Sequence, residues 1–405
     1  MGALDREKYI PLNNHFHATE DRTMENFTFF NPTTIEFGTD KEQLIGEYLA
    51  GHGVKKVLLC YGSDRIKREG LFGIVSQRLA EKGIAIVECG GIVSNPLLSK
   101  VREGIALARA HQVDAILSVG GGSVLDSSKA IAAGVCHDGD VWDLFTGKAP
   151  VASALPVFAI LTLAATGSEM NSGAVVTNDE TREKFFIMAT PLFPKVSIVN
   201  PALMRGVTRD YLVYSASDVI AHLIEAYFTA TVHPKLQSRL VETLISTVIE
   251  TTEALLVNPA DDEARGEFAW AATLALNGLT YSGTAGFGYP NHAIEHSLSA
   301  LFNVPHGAGL SVVVPAWMKW YLGRNPVQFE RFAQNVFGVE TGEQGIAALE
   351  AWYDKIGTPT RLPQLGIQAS DLPAVVENAQ RNVRVFGIAD TYPAETVIAI
   401  LENAL

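Results

Sequence analysis

The sequence predicts an α/β chain in two parts, an N-terminal Rossmann-like parallel-sheet domain followed by an all-helical domain, and three observations carry that prediction. From about residue 54 to 200, short β-branched apolar runs alternate with amphipathic segments, the rhythm of β-α-β units. Gly120-Gly121-Gly122 stands between an apolar run and a helical pattern. After Asn200-Pro201 the runs become long, rich in alanine and leucine and almost free of proline, which reads as helix upon helix.

Taken in order, residues 1–23 have no periodicity and read as a leader or extension, with His15 and His17 solvated. Phe27 to Gly38 reads as a strand or hairpin with Asn31-Pro32-Thr33-Thr34 as its turn. Its unpaired edge, joined to a twin, would make an isologous homodimer. Val54 to Cys60 is a strand, Leu71 to Lys82 a helix and Ile84 to Glu88 a second strand. Leu98 to His111 is helix, Ala115 to Val119 a strand apolar on both faces, and Ser123 to Gly134 a helix. Strands apolar on both faces belong to a parallel sheet covered by helices. The first domain therefore spans 24–200 and the helical one 201–405, with long helices over 209–257 and 263–301. Shorter helices follow from 343, broken at Gly357-Thr358-Pro359 and near Pro363.

The bulk properties exclude several classes. With 405 residues, 47% hydrophobic and 19% charged, the chain can build two cores. No apolar stretch is long enough to span a membrane, and the N-terminus lacks the order of a signal peptide. Cys60, Cys89 and Cys136 are scattered, which suits a reducing cytoplasm and forms no metal knuckle. A net charge of −13 argues against nucleic acid or an anionic membrane as partner.

Three histidines and an aspartate mark a candidate metal site. Asp218 and His222 are four apart on a helical pattern, so they share a face. His292 heads a second helical stretch, and His306 sits at the break Pro305-His306-Gly307. One carboxylate with three imidazoles suits one Fe(II) or Zn(II) ion and is too nitrogen-rich for Mg or Ca. Upstream, the three glycines let backbone amides approach a phosphate at a helix start, with Ser123 as N-cap and phosphate donor. A second small-residue cluster, Leu161 to Glu169, follows another apolar run, and such hydroxyl-rich loops bond ribose or amide groups.

Together these motifs resemble the iron-containing, group III alcohol dehydrogenases, in particular their butanol dehydrogenase and broad aldehyde reductase branch. The resemblance runs from about Phe27 to Leu405. It rests on Asn31-Pro32-Thr33, Asn95-Pro96, Gly-Gly-Gly-Ser-x-x-Asp-x-x-Lys and Ala165-Thr166-Gly167-Ser168-Glu169. It continues through Asp218-x3-His222 with Ile224-Glu225-Ala226-Tyr227, His292-x3-His296 and Pro305-His306-Gly307.

The resemblance implies a dehydroquinate synthase-like architecture, a homodimer, and Asp218, His222, His292 and His306 as metal ligands. His296 becomes a histidine beside the nicotinamide and off the metal, a candidate catalytic proton relay. Gly121, Gly122 and Ser123 would hold the pyrophosphate, with Asp126 supporting that loop. Asn95, Thr162, Lys184 and Leu203 would line the rest of the cleft, although Lys184 otherwise reads as an exposed lysine. Two departures stand out: Asn200 where the family usually has Asp, expected to alter cofactor contacts, and Ala216-Ser217 in place of a glycine-rich lead. The position that carries an NAD-selecting aspartate in relatives falls on Ser63, with Arg65 beside Asp64 to offset its charge. That favours NADP(H) over NAD(H).

The expected activity is NAD(P)-linked transfer of hydride between nicotinamide and a short- to medium-chain aliphatic alcohol or aldehyde. A dehydroquinate synthase-like lyase or a glycerol dehydrogenase-like polyol oxidoreductase is the alternative. The lyase needs basic residues for a phosphorylated substrate, and Tyr281 to Asn291 contains none, which favours a small uncharged one. A metallohydrolase would leave the glycine loop without purpose, and a binding protein would leave both sites idle.

Overall fold

The computed structural model describes residues 23–405, so the expected leader, with His15 and His17, lies outside the described residues apart from Thr23. Six strands form one parallel sheet: β1 Thr34–Phe37, β2 Lys56–Tyr61, β3 Ala85–Cys89, β4 Ala115–Gly120, β5 Val157–Leu161 and, later in the chain, Val196–Val199. Between β5 and that last strand, β6 Gly173–Asn178 and β7 Glu183–Met188 pair as an antiparallel hairpin, which makes Val196–Val199 β8. The spatial order is β1-β8-β5-β4-β2-β3.

Alternation along the strands explains why the sheet is buried on both sides. Leu58, Cys60, Ile116 and Ala159 pack into one apolar cluster, and Val57, Leu59, Leu117 and Ile160 into another on the opposite face. The chain leaves β2 toward β3 and then crosses back to place β4 on the other side of β2. That reversal opens a crevice at the carboxyl ends of β2 and β4, where ligands bind in open α/β sheets.

Helices Arg209–Thr229, Lys235–Val257, Asp262–Ala275, Pro290–Phe302 and His306–Tyr321 build the second half, followed by Gly342–Ile356, Leu372–Val385 and Ala394–Glu402. The first is buried almost continuously from Leu212 to Phe228, so it forms the axis of this region. Thr208 caps it by accepting from the Tyr211 N–H, and Asp261 caps Asp262–Ala275 through the Ala264 N–H. The two long helical stretches expected over 209–257 and 263–301 each divide. The first breaks before Pro234, and the second opens into the loop 276–289, where Gly278, Gly283 and Gly286 have positive φ. Among the described residues no helix is long and apolar enough to cross a membrane.

Three expectations are corrected here. Phe27 to Gly38 is not a hairpin: only Thr34–Phe37 is a strand, and it pairs in parallel with β8. Pro32 has no N–H to give a ladder, and Asn31 instead ties the segment down, its Nδ2 donating to the carbonyls of Met170 at 2.7 Å and Asn277 at 3.2 Å. Ser123 is not an N-cap. Gly121, extended at φ −89° and ψ −169°, takes that place, and Ser123 falls inside the first turn of Gly122–Val135. Lys184 is not exposed, because β7 carries it inward, where only 3% of it meets solvent.

Candidate metal centre and dinucleotide cleft

Helical spacing assembles the centre. Asp218, His222 and Glu225 occupy successive turns of one face of Arg209–Thr229, and on Pro290–Phe302 Glu295 and His296 lie one turn on from His292. Asn303, left-handed at φ 53°, ends the second helix, and the chain turns so that His306 opens the next one. Oδ1 of Asp218 then lies 3.4 Å from Nε2 of His222 and 3.6 Å from Nε2 of both His292 and His306. An ion held tetrahedrally at about 2.1 Å from each ligand has ligand–ligand edges of about 3.4 Å. Oδ1 of Asp218 and Nε2 of His292 are buried and have no hydrogen-bond partner among the described residues. Buried polar atoms are seldom left so, and a shared cation satisfies both at once.

The outer nitrogens of His292 and His306 are oriented for that role, while Nδ1 of His222 has no hydrogen-bond partner among the described residues. Nδ1 of His292 faces Oε2 of Glu225 at 2.5 Å, and Nδ1 of His306 is hydrogen-bonded to Oε2 of Glu295. A proton on Nδ1 leaves the Nε2 lone pair free toward Asp218. Glu225 also accepts, at Oε1, the N–H groups of Asn291 at 2.5 Å and His292 at 3.2 Å, which the helix start leaves without intrahelical partners. Glu295, His296 and His306 form a second cluster. Glu295 is already engaged there by Ser299 at 2.5 Å and by His306, and Lys184 stands 3.7 Å away.

The electrostatics follow from burial set against charge. Burial pushes His222 down to about 3. Burial also opposes protonation of His292, yet the Glu225 and Asp218 carboxylates outweigh it and raise this imidazole to about 10. Glu225 and Glu295 were given no role by sequence reasoning, although Glu225 stands in the Ile224-Glu225-Ala226-Tyr227 motif, seven from Asp218, and Glu295 is three from His292.

The centre forms one end of a cleft of about 1000 Å³ between the sheet's carboxyl edge and the helices. Gly121, Gly122, Ser123, Asp126, Thr162, Asn95, Lys184 and Ser63 line it, as do His296 and the four residues of the centre. The glycines are imposed by a close approach. A Cβ on Gly122 would lie 2.4 Å from Thr166 Cγ2, and one on Gly121 3.1 Å from Leu163 Cβ. The cluster after β5 thus rests directly on the turn after β4, leaving a cradle of backbone amides at a helix N-terminus, which fits a pyrophosphate.

Asp126 supports that cradle. Its Oδ1 accepts from Ser168 Oγ at 2.7 Å and its Oδ2 from the Val175 N–H at 3.1 Å. Lys184 donates to Asn95 Oδ1 at 3.0 Å, and Asn95 donates to the Val304 carbonyl at 3.0 Å, so this pair braces the approach to His306. His296 faces the Lys184 carbonyl through Nδ1 at 3.0 Å. A carbonyl only accepts, so Nδ1 carries the proton and Nε2 remains an acceptor. Burial, with Lys184 and His306 adding to it, holds this ring well below the usual imidazole range, and so neutral.

Three expectations fail in this region. Leu203 does not line the cleft; its N–H bonds the Asn200 carbonyl in a tight turn and its side chain packs on the apolar cluster under the sheet. Asn200 does not reach the cleft either, because its amide donates to the buried carboxylate of Glu42 at 2.8 Å, a bond that aspartate could not make. Arg65 does not offset Asp64. It donates to the Gly206 carbonyl at 2.8 Å and pairs with Glu69, while Lys67 is the cation 3.9 Å from Asp64.

Two family descriptions divide the chain at this cleft. Iron-containing alcohol dehydrogenase matches residues 32–201, and Fe-containing alcohol dehydrogenase family, C-terminal, matches 212–405. The chain belongs to the iron-containing alcohol dehydrogenases. This alcohol dehydrogenase is 39% identical to the probable NADH-dependent butanol dehydrogenase 1 of Bacillus subtilis, over 94% of its own length and 100% of the relative's. It is 30% identical to an NADPH-dependent aldehyde reductase of Escherichia coli, over 89% of this chain and 94% of that one. The solved NADH-dependent butanol dehydrogenase A of Thermotoga maritima superposes with a TM-score of 0.91 at 42% identity, covering 94% of this chain and 99% of that one. The enzyme is thus an NAD(P)-linked alcohol dehydrogenase or aldehyde reductase of the type that uses a divalent metal.

Proposed function

We propose that the enzyme reduces short- to medium-chain aliphatic aldehydes, and oxidises the matching alcohols, at a centre where Asp218, His222, His292 and His306 hold one divalent ion. The observation that carries this reading is the set of three imidazole Nε2 atoms 3.4–3.6 Å from one orphaned carboxylate oxygen. When bound, the metal supplies a Lewis acid for the substrate oxygen and the dinucleotide supplies the hydride. Fe(II) is the native ion in this reading and Zn(II) a substitute, since availability outweighs intrinsic affinity in cells.

The chain's own residues bind, orient and move protons. Amides of Gly121, Gly122 and Ser123 hold the pyrophosphate, and Thr162 and Lys184 line the path from it to the centre. Nε2 of His296, left as an acceptor because Nδ1 is committed to the Lys184 carbonyl, would take the alcohol proton during oxidation and return it during reduction. The wall from Tyr281 to Asn291 has no charged side chain and receives an uncharged substrate. We further propose NADP(H) over NAD(H), supported by Ser63 lining the cleft while the Asp64 side chain is 67% exposed. The names of the relatives divide on this point. Because cells keep NADPH mostly reduced, aldehyde reduction is the physiological direction, in the cytoplasm. A homodimer joined along β1, whose outer edge is unpaired in the sheet, completes the proposal.

Adding butanal and reduced cofactor to metal-loaded protein should bleach the nicotinamide absorbance, and His292→Ala should lose both metal and activity. Full metal and full activity in that variant would remove the ligand assignment. Turnover of a sugar phosphate with no aldehyde reduction would replace the reaction by a lyase.

A further inference from the structure

Phe27 and Phe29 are 51% and 45% exposed, in a segment that is neither strand nor helix. The segment is nonetheless fixed. The Glu25 N–H donates to the Gly283 carbonyl at 2.9 Å, and Asn31 holds the Met170 and Asn277 carbonyls. A Cβ on Gly283 would lie 3.3 Å from Phe27 Cδ1, and one on Gly278 3.6 Å from Phe29 Cε2. Both phenyl rings therefore lie against the glycine-rich loop that leads into His292. Along that loop aromatic rings step inward: Tyr281 to Phe287 at 5.0 Å, Phe287 to Tyr289 at 6.1 Å, and Tyr289 to the His292 ring at 6.0 Å. All five aromatic residues line the cleft, and residues 276–289 contain no charged side chain.

We infer that Phe27 and Phe29 form the outer wall of a subsite for the apolar tail of the substrate, so that medium-length straight-chain aldehydes are favoured over two- and three-carbon ones and over polyols. This rests on the proposed function, which sets the reacting carbonyl beside His292. A tail leaving that point meets a lining of aromatic rings and uncharged residues, in which the Ser282 and Thr284 hydroxyls are already bonded to backbone carbonyls, and it covers two phenyl faces that otherwise meet water. Each methylene so buried raises kcat/KM about three- to fourfold. A polyol sets hydroxyls against the same phenyl faces and forgoes that gain.

The test measures kcat/KM on the metal-loaded enzyme with reduced cofactor, for straight-chain aldehydes from ethanal to decanal. Wild type should climb with each carbon and then level off once the tail reaches Phe27. The double variant Phe27→Ala, Phe29→Ala should lower the octanal-to-propanal ratio by about tenfold, mainly through KM, while Phe27→Leu keeps most of it. An unchanged ratio in the double variant, with normal metal content and thermal midpoint, would overturn the inference and leave the proposed function standing. If wild type reduced no aldehyde of any length, the proposed function itself would fall and the subsite with it.

Discussion

Oε2 of Glu225 lies 2.5 Å from Nδ1 of His292, across 67 residues of chain, on the side of the ring away from Asp218. The same carboxylate accepts the two N–H groups that begin the His292 helix, so one buried side chain fixes both the ring and the helix that carries it. Removing it frees the imidazole to rotate and leaves those donors unpaired. Glu225→Ala should lower metal affinity by about 10- to 100-fold, with activity partly restored by excess metal. Competition with a chelator measures this, and an unchanged dissociation constant would show that the ring needs no such anchor.

The glycine cradle gives a second expectation. Because Thr166 stands 2.4 Å from where a Cβ on Gly122 would be, Gly122→Ala must push the loop after β5 away from the turn after β4. The strain is that of overpacking, about 1–3 kcal/mol. It should appear as a lower thermal midpoint and a raised KM for the dinucleotide, with metal content unchanged. A variant with the wild-type cofactor KM would separate the glycine from cofactor binding.

Much of this was legible in the sequence because it rests on local periodicity. Asp218 and His222, four apart on a helix, must share a face, and Gly120-Gly121-Gly122 between a strand and a helix must make a tight turn. What escaped depends on the tertiary path of the chain. Lys184 looks solvated among charged neighbours, and only the β6–β7 hairpin, which its short strands did not announce, turns it inward to meet Asn95 and Glu295. Asn31 reads as a turn residue until the carbonyls it binds, 139 and 246 residues away, are known. Ser123 lost the cap to Gly121 because the helix already begins at Gly122, and the close approach of Leu163, 3.1 Å from where a Cβ on Gly121 would lie, is a tertiary contact that the local pattern does not show.

His296 separates two roles that geometry alone leaves close together. Its Nδ1 is committed to the Lys184 carbonyl and its ring edge meets Phe386, with centroids 5.4 Å apart, so the free Nε2 is its one chemical resource. As a proton relay it should contribute about 10²- to 10⁴-fold to kcat, and His296→Phe, which keeps the ring but not the nitrogen, should lose that factor with metal content intact. A kcat within a few-fold of wild type would reduce His296 to a wall of the pocket.

Cofactor choice turns on two adjacent side chains after β2. Ser63 faces the cleft, whereas the Asp64 side chain is 67% exposed and points toward Lys67, whose ammonium is 3.9 Å away and itself held by Glu88 at 2.7 Å. In the NADP(H) reading proposed above, a ribose 2′-phosphate at the cleft edge would meet the Ser63 hydroxyl and not a carboxylate. Catalytic efficiency with NADPH should exceed that with NADH. Ser63→Asp should reverse the order by setting a negative charge against the phosphate, an opposition of several kcal/mol in which each 1.4 kcal/mol is about tenfold. Metal content and the thermal midpoint should stay unchanged in that variant, since Ser63 touches neither the centre nor a core. A clear preference of the wild-type enzyme for NADH would mean that Asp64 swings in to bond the free 2′-hydroxyl, and Asp64→Ser would then be the change that admits the phosphate.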